Sequence, residues 1–342
     1  MTASVTATAH QVSEKALGWL HEHHRRGSLP EDIGTDISDP PGAYKALGEM
    51  ALASSLVLRE SVAGADGLRR SHDLLEHAWG QLGEGDLLYA RLLRFPLMTD
   101  SLETYAHFVR GGHRHEPMRQ LLAQVSGLRS VRGAEHLPNR ALAVANATRV
   151  AGLDGTGRAG DWTELIGATW LGNAPEPWLV DWITGYNMTH TVFHVTDWGR
   201  VPEDLPDDIG AYVAAWLPVW IDIWAEVGEW DLLGELMIVG SCLKEPYIDP
   251  AAWELLASVQ HDDGLVPRDT APVSDDLDYR FADQQHTAVV AAIAGTLAVS
   301  RALDRTDGTG GGASGAGSPG ADNGDHPRDS PGDSPNGSSV RP

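Results

Sequence analysis

Tyr186-Asn-Met-Thr-His190-Thr-Val-Phe-His194-Val-Thr-Asp197-Trp-Gly199 is the stretch of this 342-residue chain from which the rest is best read. Tyr186, His190, His194 and Asp197 recur at i, i+4, i+8 and i+11, close to the 3.6-residue period of an α-helix, so a helix brings all four to one face. Outward from it, apolar residues keep returning at three- and four-residue intervals, from His10–Arg25 and Pro41–Leu58 to Trp230–Leu243, Pro250–Val259 and Phe281–Leu303. Breakers fall between these runs, among them Gly111-Gly112, Pro202, Pro206, Gly228 and Pro246, and no strand-like alternation interrupts the series. The pattern predicts an all-α protein of about a dozen helices joined by short loops, arranged as an α/α toroid or helical-hairpin barrel. The folded domain is expected over residues 1–305. Residues 306–342 are rich in Gly, Ser, Pro and Asp, with Val340 as their single large apolar side chain, and are expected to stay disordered.

Charge and composition narrow the partners. The formal charge is −23, and only five of the 48 acidic residues follow Thr306, so the folded part is itself acidic. An acidic surface disfavours phosphate backbones and anionic lipid, so neither nucleic acid nor membrane is an expected partner. One cysteine, Cys242, allows no intrachain disulfide, and the N-terminus has neither the basic start nor the apolar run of a signal peptide; a cytoplasmic location is the expectation. The most apolar run, Ala288–Val299, is short for a membrane span. There is no Walker loop, GxGxxG, GxSxG or CxxC, which sets aside P-loop hydrolysis, Rossmann redox chemistry, elbow-type esterases and dithiol exchange.

A resemblance adds to this. In Trp253–Pro267, WELLASVQHDDGLVP, the helix ending in Gln260 and followed by Asp263-Gly264 resembles the repeat of α/α-toroid enzymes, the terpene-cyclase and protein-prenyltransferase architecture. The segments YNMTHTVFHVTDWG and RFADQQHT are similar to those of a group of actinobacterial proteins. The first resemblance implies a toroid with a central cavity, in which ring closure or group transfer on a natural-product or peptide precursor would fit.

The chemistry-bearing residues concentrate in two places. His190 and His194, one helical turn apart, can converge on a divalent metal, zinc first, and Asp197 can ligate it or orient an imidazole. His194 with Asp197 can equally work as a metal-free acid–base pair, with Tyr186 on the same face; a polar network inside a helical core is the plainer alternative. In Asp275–Thr287, Asp283 and His286 lie three residues apart, and His286 would complete a His190/His194/His286 metal site, while Asp275–Asp278 fit a solvated helix start. Ten of the twelve tryptophans fall between Trp162 and Trp253, and Trp216, Trp220 and Trp224 form a stripe that suits core packing or, with Pro218 inside it, a cavity wall. Cys242 is expected to be inert packing, and His113 and His115 to be solvated. Tyr44, Lys45 and Glu49 would reach a toroid cavity.

Three functions are compatible with these residues. One is an enzyme using Tyr186, His190, His194, Asp197, Asp283 and His286 on a small molecule or peptide. The second is a helical scaffold that binds a basic partner without catalysis. The third is glycan processing with Asp197 and Asp283 as paired carboxylates.

Overall fold

The computed structural model describes residues 3–31, 33, 41–134, 136–153 and 160–310. Among them are fourteen α-helices and no strand. In chain order these are α1 (Ala3–His23), α2 (Pro41–Glu60), α3 (Ala65–Gln81), α4 (Asp86–Arg94), α5 (Asp100–Arg110), α6 (Glu116–Ser126) and α7 (Arg129–Arg132). There follow α8 (Pro138–Val150), α9 (Trp162–Gly167), α10 (Trp182–Thr196), α11 (Asp207–Val227), α12 (Trp230–Cys242), α13 (Pro250–Val259) and α14 (Leu277–Gly310). The tail expected from residue 306 lies outside the described residues from 311 onward, and α14 runs through the first five of its positions.

Six helices pack in a closed cycle: α2 on α5, α5 on α8, α8 on α10, α10 on α12, α12 on α14, and α14 back on α2. The others lie against this ring. Helix α1 packs on α14, α3 and α13, while α11 and α13 pack on α12. Helix α12 explains itself by composition. All of its residues are buried, so it is apolar on nearly every side, as a helix enclosed by neighbours must be. Each of its buried leucines contributes about 1.5–3 kcal/mol. The acidic Asp231 and Glu235 are the exceptions, four residues apart on one side.

Helix α14 is long and apolar enough to span a bilayer, but 78% of its apolar window is buried inside the protein. It approaches its neighbours closely: a Cβ on Gly295 would lie 2.4 Å from the Ala9 carbonyl oxygen of α1. The 260–264 turn docks on α1, with Gln260 Nε2 donating to the Val12 carbonyl at 3.1 Å and to the Gly264 carbonyl at 2.9 Å.

Helix α10 starts at a capping box, in which Asp181 accepts from the Thr184 backbone N–H and Thr184 Oγ1 accepts from that of Asp181. It stops at Thr196, one residue short of the predicted helical face. Asp197 and Trp198 both take left-handed backbone angles, φ 47° and 57°, before Gly199 at 75°. Two consecutive non-glycine residues in that region cost about 1–2 kcal/mol each, so something must hold them. Arg59 of α2 donates to the carbonyls of Asp197 (2.9 Å) and Trp198 (2.8 Å), and Arg110 of α5 donates to the Asp197 carboxylate at 2.7 Å. Trp198 stacks on Phe193 with centroids 4.4 Å apart.

The tryptophan stripe resolves as packing. Trp220 and Trp224 are buried, Trp216 packs against the core, and none lines the central cavity; α11 runs continuously through Pro218. His115 departs from expectation: its Nδ1 caps α6 by accepting from the Met118 N–H at 3.0 Å, and its ring is nearly buried.

Candidate functional site

The six-helix cycle encloses a cavity of about 430 Å³ to which every one of its helices contributes. Leu52, Phe193, Ile238, Val289, Val290 and Ile293 give it apolar surface, and two groups of polar side chains lie on it in different parts of the ring, the first reaching back to Asp231, which is not itself in the lining.

The first group lies where α12, α14 and α10 meet. Ligand atoms of Asp231, Glu235 and His286 all fall within 4.8 Å of one another. His286 Nε2 lies 3.6 Å from Asp231 Oδ2 and 3.6 Å from Glu235 Oε1, and His190 Nε2 lies 3.4 Å from the same Glu235 oxygen. These separations exceed the 2.7–3.2 Å of a normal N–H···O bond. They match the edge, about 3.4 Å, of a tetrahedron with metal–ligand bonds of about 2.1 Å.

Around these atoms every other polar partner sits at bonding distance. His286 Nδ1 donates to Glu49 Oε1 at 2.9 Å, which turns Nε2 toward the other two carboxylates. Asp231 accepts from Tyr186 Oη at 2.6 Å and from Thr287 Oγ1 at 2.8 Å, and Glu235 Oε2 accepts from Thr189 Oγ1 at 2.5 Å. The start of α12 is itself held, since the Asp231 N–H donates to the Arg268 carbonyl at 3.0 Å.

This group attracts positive charge. Burial works against a charged imidazole at His286, but Glu49 and Asp231 outweigh it and hold the pKa well above the ordinary value. Burial would raise Glu235; His190 and His286 overcome that and hold it below the usual carboxylate range. Glu49 is likewise lowered, with His286 and Lys45 outweighing its burial. Tyr186 is pushed far up by burial and by Asp231, so it remains a hydrogen-bond donor.

The second group lies on α5, α8 and α10: His107, Arg110, Arg140, Asn146 and His194. Arg110 Nη1 donates to His107 Nδ1 at 3.2 Å. Burial, with Arg110 adding to it, pushes His107 down to about 3. His194 is held well below the ordinary value by burial and then by His190, Arg140, His107 and Arg110. Both rings are neutral near pH 7.

The structure therefore distributes the expected site residues over three settings. His190, His194 and His286 all line the cavity, yet the tight ligand cluster is carboxylate-rich. His286 joins Asp231 and Glu235, His190 faces Glu235, and the His194 ring centroid stands 6.1 Å from that of His190. Tyr186 does not line the cavity; it orients Asp231. Asp197 does not line it either. The helix ends before it, and its carboxylate is committed to Arg110, with Arg59 at 3.9 Å. Asp283 pairs with Arg268 at 2.7 Å and anchors the loop that caps α12. Both aspartates are held in ion pairs, and neither lines the cavity as the pair that glycan processing would need. Cys242 is buried beside Gly199, its thiol pushed up to about 12 by burial, as an inert side chain is.

Asp231 and Glu235 escape a reading based on histidine spacing. Their signal is an Asp-x-x-x-Glu pair in the run WDLLGELMIVGSC, where nearly every other residue is apolar. Acids on so apolar a helix must be buried, and buried carboxylates must be paired or ligating.

A family model described as a domain of unknown function, DUF6895, matches residues 13–296. No curated protein matches the chain, and no solved structure does.

Proposed function

The chain belongs to the DUF6895 family, and we propose that it is an enzyme of the α/α-toroid type that uses a divalent metal ion in the central cavity. Asp231, Glu235 and His286 would hold the ion, with His190 as a further ligand and Glu49 behind His286. The observation that carries this reading is the spacing of 3.4–3.6 Å among atoms whose other partners lie at 2.5–2.9 Å. Mixed imidazole and carboxylate donors suit zinc, manganese or iron, zinc first.

Such an ion supplies Lewis-acid polarisation of a substrate oxygen or acidification of water. The chain's own residues do the rest. Tyr186, Thr189 and Thr287 fix the carboxylates, Glu49 fixes the His286 tautomer, and neutral His194, one turn along from His190, faces the same cavity as a hydrogen-bonding group. Group transfer or ring closure on a small natural-product or peptide precursor remains the reaction class this arrangement suits.

The test is elemental analysis by plasma mass spectrometry on untagged protein, comparing the parent with Asp231→Asn/Glu235→Gln and with Asp283→Asn. Near-stoichiometric metal is expected in the parent and in Asp283→Asn, and none in the folded double variant. A parent free of transition metal after growth in zinc-, manganese- and iron-supplemented medium would sink the reading.

A further inference from the structure

Three hydrogen-bonding side chains on adjacent helices of the ring face the cavity with capacity that no described residue uses. The first is His107. Arginine can only donate, so the bond from Arg110 Nη1 makes His107 Nδ1 an acceptor and leaves the ring proton on Nε2. The second is Asn146 of α8, whose Oδ1 accepts from Arg149 Nη2 at 2.9 Å and Nε at 3.3 Å, leaving both Nδ2 protons without a partner among the described residues. The third is His194 of α10, whose ring makes no hydrogen bond or ion pair among the described residues, though its backbone is fixed. Arg149 Nη2 also donates to the His194 carbonyl at 3.0 Å, so one guanidinium holds both α8 and α10 in register. Arg149 is itself held by Asp204 at 2.7 Å and by the Trp162 ring at 4.7 Å.

The geometry points to a carboxylate-binding subsite formed by His107, Asn146 and His194, which makes the substrate a small organic acid with an apolar body. This deepens the enzymatic reading and rests on it, because substrate and ion would share the one cavity. Each of the three side chains can donate, and Arg110, Arg140 and Arg149 stand beside or behind them, each already paired with a carboxylate (Asp197, Glu103 and Asp204). A carboxylate brings about four lone-pair sites and accepts charge-assisted bonds roughly twice as strong as neutral ones. A neutral amide of the same shape would offer these three donors one uncharged oxygen, and the bonds to it would lack the charge assistance. Leu52, Phe193, Ile238, Val289 and Val290 would enclose the apolar body. The cavity volume, about 430 Å³, admits a small molecule and excludes a folded partner.

The experiment is calorimetric titration of the full chain, made metal-free by chelation, with sodium 4-phenylbutyrate and separately with its isosteric amide. Working without metal keeps the acid from ligating an ion, so the result stands apart from whether the chain binds metal. The acid is expected to bind about tenfold or more tighter than the amide. Asn146→Leu and His107→Phe should each erase most of that difference. His107→Gln, which keeps a donor near the Nε2 position, should retain affinity within about threefold, and Lys45→Met at the exposed rim should change it less than about twofold. Thermal unfolding of each variant confirms that it is folded. Equal affinity for acid and amide, no binding of either at about 10 mM, or loss of binding in Lys45→Met while His107→Phe is unaffected would each overturn the subsite.

Discussion

Two clusters of charged residues sit on the same ring of helices and could hardly be built more differently. Around Asp197 the contacts close: Arg110 at 2.7 Å on the carboxylate, Arg59 at 2.9 and 2.8 Å on two carbonyls. Around His286 they stay open on one side, with Glu49 at 2.9 Å but Asp231 and Glu235 at 3.6 Å. The closed cluster pairs its charges at bonding distance and fastens α2, α5 and α10 together. The open one carries three carboxylates around one imidazole, two of them beyond normal hydrogen-bond distance. Buried ion pairs at bonding distance hold a fold; the wider spacing around His286 is the feature on which the proposed metal site rests. The same residue types serve both ends, and distance tells them apart.

Substitutions can break this contrast or sharpen it. Asp197→Ala should have the largest effect, since it strands the buried Arg110 guanidinium and removes the support of a strained turn. A loss of about 3–5 kcal/mol is expected in urea unfolding, and a loss below about 1 kcal/mol would mean that the clamp is not structural. Glu49→Gln should cost less stability, because Gln can still accept from His286 Nδ1, and should weaken metal binding by about 10- to 100-fold, read by competition with a chromogenic chelator, because the carboxylate behind a ligating imidazole sets its orientation and basicity.

The pH dependence follows from His107. Its pKa in the folded protein is about 3 against about 6.5 when unfolded, so below about pH 6.5 the unfolded chain binds a proton that the folded chain refuses. That stability is fully present above the unfolded value and is lost as pH falls toward the folded one. His107→Asn should therefore lose about 1–2 kcal/mol less than the parent between pH 6.5 and 5, measured by urea unfolding at both pH values. The smallest change is Thr189→Val. It removes one hydrogen bond to Glu235 Oε2 and should cost about 1–2 kcal/mol in stability or a few-fold in metal affinity, with the cavity otherwise intact.

How much of this the sequence carries varies with the kind of residue. Helical period exposes most of the helices directly, because apolar residues recur along them at three- and four-residue intervals, while α12 shows as a run that is apolar on nearly every side. His190, His194 and His286 are visible because histidine is uncommon and its spacing on a helix is short. Asp197 misleads for a physical reason. The i+11 position belongs to the helical face only if the helix continues, and the left-handed backbone at 197 depends on arginines at 59 and 110 that no local pattern reveals. Asp283 misleads in the same way, its partner being Arg268 across a loop. Asp231 and Glu235 are legible in principle, as acids inside an apolar helix, but their convergence on His286 is a fact of packing between α12 and α14. Glu49, on α2, is brought to His286 across most of the chain, and only the closure of the ring makes that contact.

The clamp on the α10 terminus also bears on the order in which the protein assembles. Arg59 lies 138 residues before Asp197 and Arg110 lies 87 before it. The left-handed turn at Asp197 and Trp198 is uphill until both arginines are at hand. Chains are made from the N-terminus, and α2 and α5 leave the ribosome well before α10 does. The turn thus finds its partners already synthesised, whereas a chain refolding from denaturant must gather all three segments at once. Refolding in the test tube should be slow at this step in a way that vectorial synthesis avoids.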